Sequence, residues 1–208
     1  TTSTTTSSNT TTTTTKKSDN TSSNGKYVGT SSKGYQITYK DGAYYVDGYL
    51  IVNKTYDLPS TWKPKNVWKS VPSSGFAKEP LDKDAYNAWK DMLSDSKAVG
   101  LNLWAQSGYR SYDYQKDLYN SYVKRKGKAA ADKSSARPGN SEHQTGLAVD
   151  VYNQTETYTN FEKTKEYNWM QENAYKYGFI LRFPKDKENE TGYEFESWHY
   201  RYVGKDIA

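Results

Sequence analysis

The first 33 residues decide how much of this chain is available to fold. They are almost entirely Thr, Ser, Asn and Lys, with Tyr27 and Val28 as the sizeable apolar side chains. Such a stretch buries too little surface to offset the conformational entropy lost on ordering. Residues 1–33 are therefore expected to be a disordered stalk or linker, which leaves about 175 residues, 34–208, for a single core.

Composition then narrows the chemistry. There is no Cys, so disulfides, thiolate metal sites and sulfur redox chemistry are excluded, and any metal must be held by imidazole and carboxylate. The 21 Tyr and 6 Trp suit a surface that faces carbohydrate or peptide, although secreted proteins without an aromatic platform share that bias. The net charge of +5 is spread among acidic residues. A nucleic-acid partner would need a denser basic face, whereas weak attraction to a polyanionic bacterial wall fits as well as ordinary solubility does. No run approaches the roughly 18 apolar residues of a membrane span. A Ser/Thr-rich stretch of this kind resembles what remains after an export signal or anchor is removed, so an exported, cell-surface or cell-wall location is expected.

Local patterns place the elements. Tyr35–Tyr39, Ala43–Val46 and Tyr49–Val52 are short β-rich runs joined by Asp41-Gly42 and Asp47-Gly48, a strong hairpin signal. Asn53 to Lys78, with Pro59, Pro64 and Pro72, reads as irregular wrapping chain, so 34–80 forms an N-terminal hairpin and wrapping segment. Ala85, Trp89, Met92 and Leu93 predict a helix from Leu81 to just before Gly100. Leu101–Ala105 reads as a buried strand. Tyr112–Lys126 reads as a helix with Tyr114, Leu118, Tyr122 and Val123 on its apolar side and Gly127 as its stop, and Lys128–Ser135 as a short helix. Gly146–Tyr152 reads as a core strand, Phe161–Tyr177 as a helix closed by Gly178, and Phe179–Phe183, Tyr193–Phe195 and Trp198–Val203 as further strands. Helices and strands mix without strict alternation, which predicts α+β: a small mixed or antiparallel sheet with flanking helices.

Two clusters carry chemistry. The chain has only two histidines, one in Ser141-Glu142-His143-Gln144-Thr145-Gly146-Leu147-Ala148-Val149-Asp150 and one in Glu196-Ser197-Trp198-His199-Tyr200-Arg201. Along the strand, Ala148 and Asp150 point one way and Leu147, Val149 and Val151 the other, which sets a carboxylate among apolar neighbours. It must be paired or bind a cation, with His143 a fitting companion ligand, or else cap a loop or pair with an arginine. Glu196 and His199, three apart, share a side in a turn or helix and separate in a strict strand. A metal hydrolase needs three protein ligands, an open position and a carboxylate base. His143, Asp150 and His199 make the three and Glu196 the base; the alternative is two core histidines with satisfied hydrogen bonds.

Ser107-Gly108-Tyr109-Arg110-Ser111, Ser141 through Asp150, and Glu196-Ser197-Trp198-His199, in that order, resemble the signature segments of the VanY-type D-alanyl-D-alanine carboxypeptidases and the similar LdcB/DacB L,D-carboxypeptidases. The likeness runs from about residue 50 to the C-terminus and includes Tyr177-Gly178-Phe179-Ile180-Leu181-Arg182. It implies Zn2+ at the sheet on His143, Asp150 and His199, with Glu196 as general base and acid. It also implies that Arg110, Gln115 and Ser141 hold the substrate's terminal carboxylate and polarise the scissile carbonyl, with Arg110 also catalytic. The implied substrates are peptidoglycan stem peptides (muropeptides), the implied protein a monomer. L,D-cleavage of a tetrapeptide is preferred and D,D-cleavage of a pentapeptide is the alternative. A reading from another class is a non-catalytic wall-binding module with a structural metal.

Overall fold

The computed structural model describes residues 25–68 and 80–208. Four strands, β1 (Lys26–Thr30), β2 (Gln36–Lys40), β3 (Ala43–Val46) and β4 (Tyr49–Ile51), form an antiparallel meander in that order. At both Asp-Gly turns the two central residues take positive φ, 53° and 79° at Asp41-Gly42 and 48° and 84° at Asp47-Gly48. This mirror-image turn matches the twist of the flanking strands, which is why Asp-Gly signals a hairpin.

β1 lies inside the stretch expected to be disordered, and that expectation is corrected for residues 26–30. Its side chains are mostly exposed, so burial does not order it. It pairs antiparallel with β2, Tyr27 opposite Thr38, across a bulge between Tyr27 and Gly29. A preformed edge supplies backbone partners that a composition argument does not count. Residues 1–24, the rest of the expected stalk, lie outside the described residues, as do 69–79 of the expected wrapping segment. The remainder of that segment is irregular apart from β5 (Val67–Trp68), which pairs with β6 (Leu81–Asp82).

The second half builds the core. Helix α1 (Lys83–Ala98) is capped by Asp82, whose side chain accepts from Asp84 N at 3.0 Å, and it buries Ala85, Trp89, Met92 and Ser96 along one stripe. After α1 come β7 (Trp104–Ser107), α2 (Tyr112–Lys126), α3 (Lys128–Ser134) and a 3₁₀ turn over Glu142–Thr145. Then come β8 (Ala148–Tyr152), α4 (Lys165–Asn173) between 3₁₀ turns, β9 (Phe179–Leu181), α5 (Glu188–Thr191) and β10 (His199–Tyr202). The sheet order is β7-β8-β10-β9, antiparallel throughout. The fold is α+β, with α1 and α4 packed on one face of this sheet and α2 beside the cleft that holds Asp150 and His199.

Four expectations shift. The helix expected over Phe161–Tyr177 breaks at Thr164, whose hydroxyl donates to Phe161 O at 2.7 Å and accepts from Tyr167 N at 3.1 Å. That pair of bonds closes one turn and caps the next helix. The strand expected at Leu101–Ala105 begins only at Trp104, and Tyr193–Phe195 is irregular. Helix α2 buries Gln115 and Tyr119 rather than its expected apolar side, and Tyr114 is exposed. Burial of those polar groups is sustained by hydrogen bonds: Gln115 Nε2 donates to Ala136 O at 2.7 Å and the Tyr119 hydroxyl to Asp132 Oδ1 at 2.6 Å.

Strand alternation divides the sheet's two faces. Val149, Val151 and Tyr200 join the core with Trp89, Phe161 and Met170. Asp150 and His199 project to the opposite face. Among the described residues no helix is long and apolar enough to cross a membrane.

Candidate metal centre

The register of β8 against β10 sets Asp150 directly opposite His199. His199 Nδ1 lies 3.1 Å from Asp150 Oδ1, and Glu196, in the turn before β10, brings Oε2 to 3.8 Å from the same nitrogen. Glu196 and His199 thus share a side because Glu196 precedes the strand.

His143 enters from the 3₁₀ turn, all four of whose side chains are buried. Gly146 ends that turn at φ 73°, and a Cβ there would meet Asp82 N at 3.0 Å, so a side chain at this position would be both strained and crowded. His143 Nδ1 lies 2.6 Å from Gly108 O. A carbonyl only accepts, so Nδ1 carries the hydrogen and Nε2 presents its lone pair. That Nε2 is buried without a hydrogen-bond partner and sits 3.2 Å from Asp150 Oδ1.

The ligand atoms of His143, Asp150 and His199 all lie within 4.8 Å of one another. Two imidazoles and one carboxylate lining a cleft of about 260 Å³ are a donor set that could hold a divalent metal ion, three protein ligands with an open side. The orphaned lone pair of His143 is what a cation would satisfy, so these residues fit a metal.

Electrostatics agree. Burial, with the Arg110 cation nearby, pulls the pKa of His143 down to about 4, which keeps it neutral at physiological pH. Burial opposes ionisation of Asp150, but the two imidazoles outweigh it and hold the carboxyl below its usual range. Burial also lowers His199, but hydrogen bonds to Asp150 and Glu142 raise it to about 9. Glu196 is pushed up to about 7, chiefly by burial, although His199 pulls the other way.

Arg110, Gln115 and Ser141 line the same cleft. Arg110 Nη1 donates to Gln115 Oε1 at 3.1 Å, and Nη2 lies 3.6 Å from Asp150 Oδ2. The expected alternative for Asp150, an arginine partner, is thus present together with the histidines. Arg110 Nε is buried without a partner. Gln115 is 1% exposed, so it is no solvated helix face. Ser141 precedes the 3₁₀ turn and makes no side-chain cap bond.

Sequence reasoning gave no role to Glu142. Its Oε1 accepts from Arg182 Nε at 2.8 Å and lies 3.2 Å from Arg201 Nη1, and its Oε2 is 3.1 Å from His199 Nε2. Burial alone would raise its pKa, but Arg201 and Arg182 hold it well below the usual carboxylate range. Its sequence neighbours, Ser141 and His143, are polar and give no sign of a buried carboxylate; only the pairing of β9 with β10 brings Arg182 and Arg201 to it. Tyr158 and Trp198 were also passed over; they line the cleft as an edge-to-face pair with centroids 4.9 Å apart.

Comparison with known proteins places this geometry. The family model for VanY, D-alanyl-D-alanine carboxypeptidase, matches residues 78–205. The chain is 44% identical over 167 residues to YodJ of Bacillus subtilis (strain 168), covering 76% of this chain and 60% of that protein. It is 38% identical over 168 residues to a D-alanyl-D-alanine carboxypeptidase of Enterococcus faecalis (strain ATCC 700802 / V583), covering 76% and 59%. The chain therefore spans about three fifths of the length of these curated relatives. Among solved structures, the LdcB LD-carboxypeptidase superposes with TM-score 0.72 at 40% identity over 83% of this chain and 86% of that one. VanYB in complex with D-alanine-D-alanine superposes with TM-score 0.65 at 32% identity over 76% and 87%. A VanY variant in complex with Zn(II) superposes with TM-score 0.64 at 32% identity over 75% and 88%. On the family match and these relatives together, the chain belongs to the VanY family of D-alanyl-D-alanine carboxypeptidases.

Proposed function

We propose that this chain is a zinc-dependent carboxypeptidase that removes the C-terminal D-alanine from peptidoglycan stem peptides, with tetrapeptides (L,D-cleavage) preferred over pentapeptides (D,D-cleavage). One observation carries the reading: His143 Nε2, Asp150 and His199 Nδ1 face one point beside Glu196 and Arg110 in an open cleft. The Zn(II) complex of the VanY neighbour supports the choice of metal. The higher identity to the LdcB structure than to VanYB supports the L,D preference.

His143, Asp150 and His199 would hold the ion. Bound there, zinc supplies Lewis acidity, which polarises a carbonyl and makes a water a nucleophile near neutral pH. Glu196, with a pKa of about 7, can take the proton from the attacking water at its carboxylate and return it to the leaving amine. Arg110 lines the cleft, where its guanidinium can grip the substrate's terminal carboxylate and its positive charge stabilises the developing oxyanion. Gln115 holds Arg110 in place from a buried helix position, and Ser141 lines the cleft floor beside the ligands. The products are a stem peptide shortened by one residue and free D-alanine.

Such a substrate supports an exported protein acting at the wall of a bacterium. Incubation of the zinc-loaded protein with defined tetra- and pentapeptides, followed by mass spectrometry, tests the reading. Release of D-alanine chiefly from the tetrapeptide supports it, and release chiefly from the pentapeptide makes the protein a D,D-carboxypeptidase. Release from neither leaves the wall-binding module as the better account.

A further inference from the structure

We infer that Glu142 is the positioning residue for His199, fixing the hydrogen on Nε2 so that Nδ1 is the nitrogen turned toward Asp150 and His143. The inference rests on the metal-site reading above and concerns a residue that acts through a ligand rather than on substrate.

The two histidines face the cluster with opposite nitrogens, and each does so because of what holds its other nitrogen. For His143 the anchor is the Gly108 carbonyl, which takes Nδ1–H at 2.6 Å. For His199 the anchor is Glu142 Oε2, 3.1 Å from Nε2. A carboxylate whose other oxygen is gripped by two guanidinium groups acts as an acceptor, so Nε2 donates to it. The hydrogen bond made by the outer nitrogen sets which nitrogen is free to ligate.

Glu142 can serve as an anchor because it cannot move. Its other oxygen, Oε1, is gripped by Arg182 Nε at 2.8 Å and lies 3.2 Å from Arg201 Nη1. Arg201 in turn donates through Nη2 to Leu50 O at 2.8 Å and through Nε to Tyr202 O at 3.1 Å. The orientation of His199 is thereby tied to strand β4 of the N-terminal meander. Phe183 packs against the imidazole with centroids 4.9 Å apart, which limits rotation about the ring's axis. Because Glu142 and His143 are adjacent on one 3₁₀ turn, that single turn supplies one ligand and orients the other.

With only two histidines in the chain, a long-range ¹H–¹⁵N spectrum of uniformly labelled protein contains just four ring nitrogens. In the zinc-loaded wild type we expect one ring protonated at Nδ1 and one at Nε2, the latter absent from a His199→Gln sample. Two rings of the same tautomer would overturn the inference. Glu142→Gln should lower zinc affinity by about 10–100-fold, read by competition with a chelator, with the signal of His199 Nε2–H lost or broadened. Unchanged zinc affinity in a folded Glu142→Gln protein would also overturn it. Should Glu142→Gln fail to fold, the wild-type spectrum decides the matter. None of these readouts uses D-alanine release, so failure here is distinct from failure of the proposed activity.

Discussion

Glu196→Gln should separate function from stability, with the two moving in opposite directions. In the metal-free chain the Glu196 carboxyl lies at about 7 against an ordinary 4.5, and its side chain is 15% exposed. A group whose folded pKa is raised binds more protons folded than unfolded across that interval, so stability falls as pH rises from 4.5 to 7 and the loss is complete above it. At 1.36 kcal/mol per pH unit, the ionised carboxylate costs the fold about 3 kcal/mol. Glutamine has the same shape without the charge. The variant should therefore match the wild type near pH 4.5 and exceed it by about 2–3 kcal/mol at pH 8. Urea denaturation of both proteins in chelator, at the two pH values, measures this directly. In the zinc-loaded enzyme the same change removes the proton acceptor, so kcat should fall about 10²–10⁴-fold with zinc content unchanged. A variant no more stable than wild type at pH 8 would refute the electrostatic reasoning. One with intact turnover would remove Glu196 from the mechanism.

Substitutions at three other positions address the ligands, the substrate grip and the core. His143→Ala should abolish zinc binding by elemental analysis, and a full complement in that variant would show the ligand set to be wrong. Arg110→Lys keeps the charge but loses the planar fork, so kcat/KM on a free-acid peptide should drop about 10²–10³-fold, while the already poor rate on the C-terminal amide barely changes; equal losses on both would deny Arg110 its carboxylate. Trp89 is wholly buried beside Phe179 and its Nε1 has no partner. Trp89→Ala should cost about 3–5 kcal/mol and Trp89→Phe under about 1.5 in urea denaturation; equal costs would contradict the packing.

What was legible in the sequence followed from local rules. The Asp-Gly turns, the stripe of α1 and the Asp82 cap are written in neighbouring residues, so the meander and the first core helix could be read directly. The alternation of β8 likewise put Asp150 on the face away from Val149 and Val151. Partner-dependent features could not be read this way. β1 is held by the edge of β2 and not by its own composition. Gln115 and Tyr119 are buried because Ala136 and Asp132 happen to face them. The break at Thr164 turns on one hydroxyl that serves two backbone groups. Glu142 needs Arg182, just past β9, and Arg201, in β10, and no spacing along the chain announces that they converge.

Anomalous diffraction at the zinc edge from crystals of the zinc-loaded protein measures the convergence on which the account stands. One strong peak is expected about 2.0–2.2 Å from His143 Nε2, an Asp150 oxygen and His199 Nδ1. A peak elsewhere, or one lacking either imidazole, would contradict it.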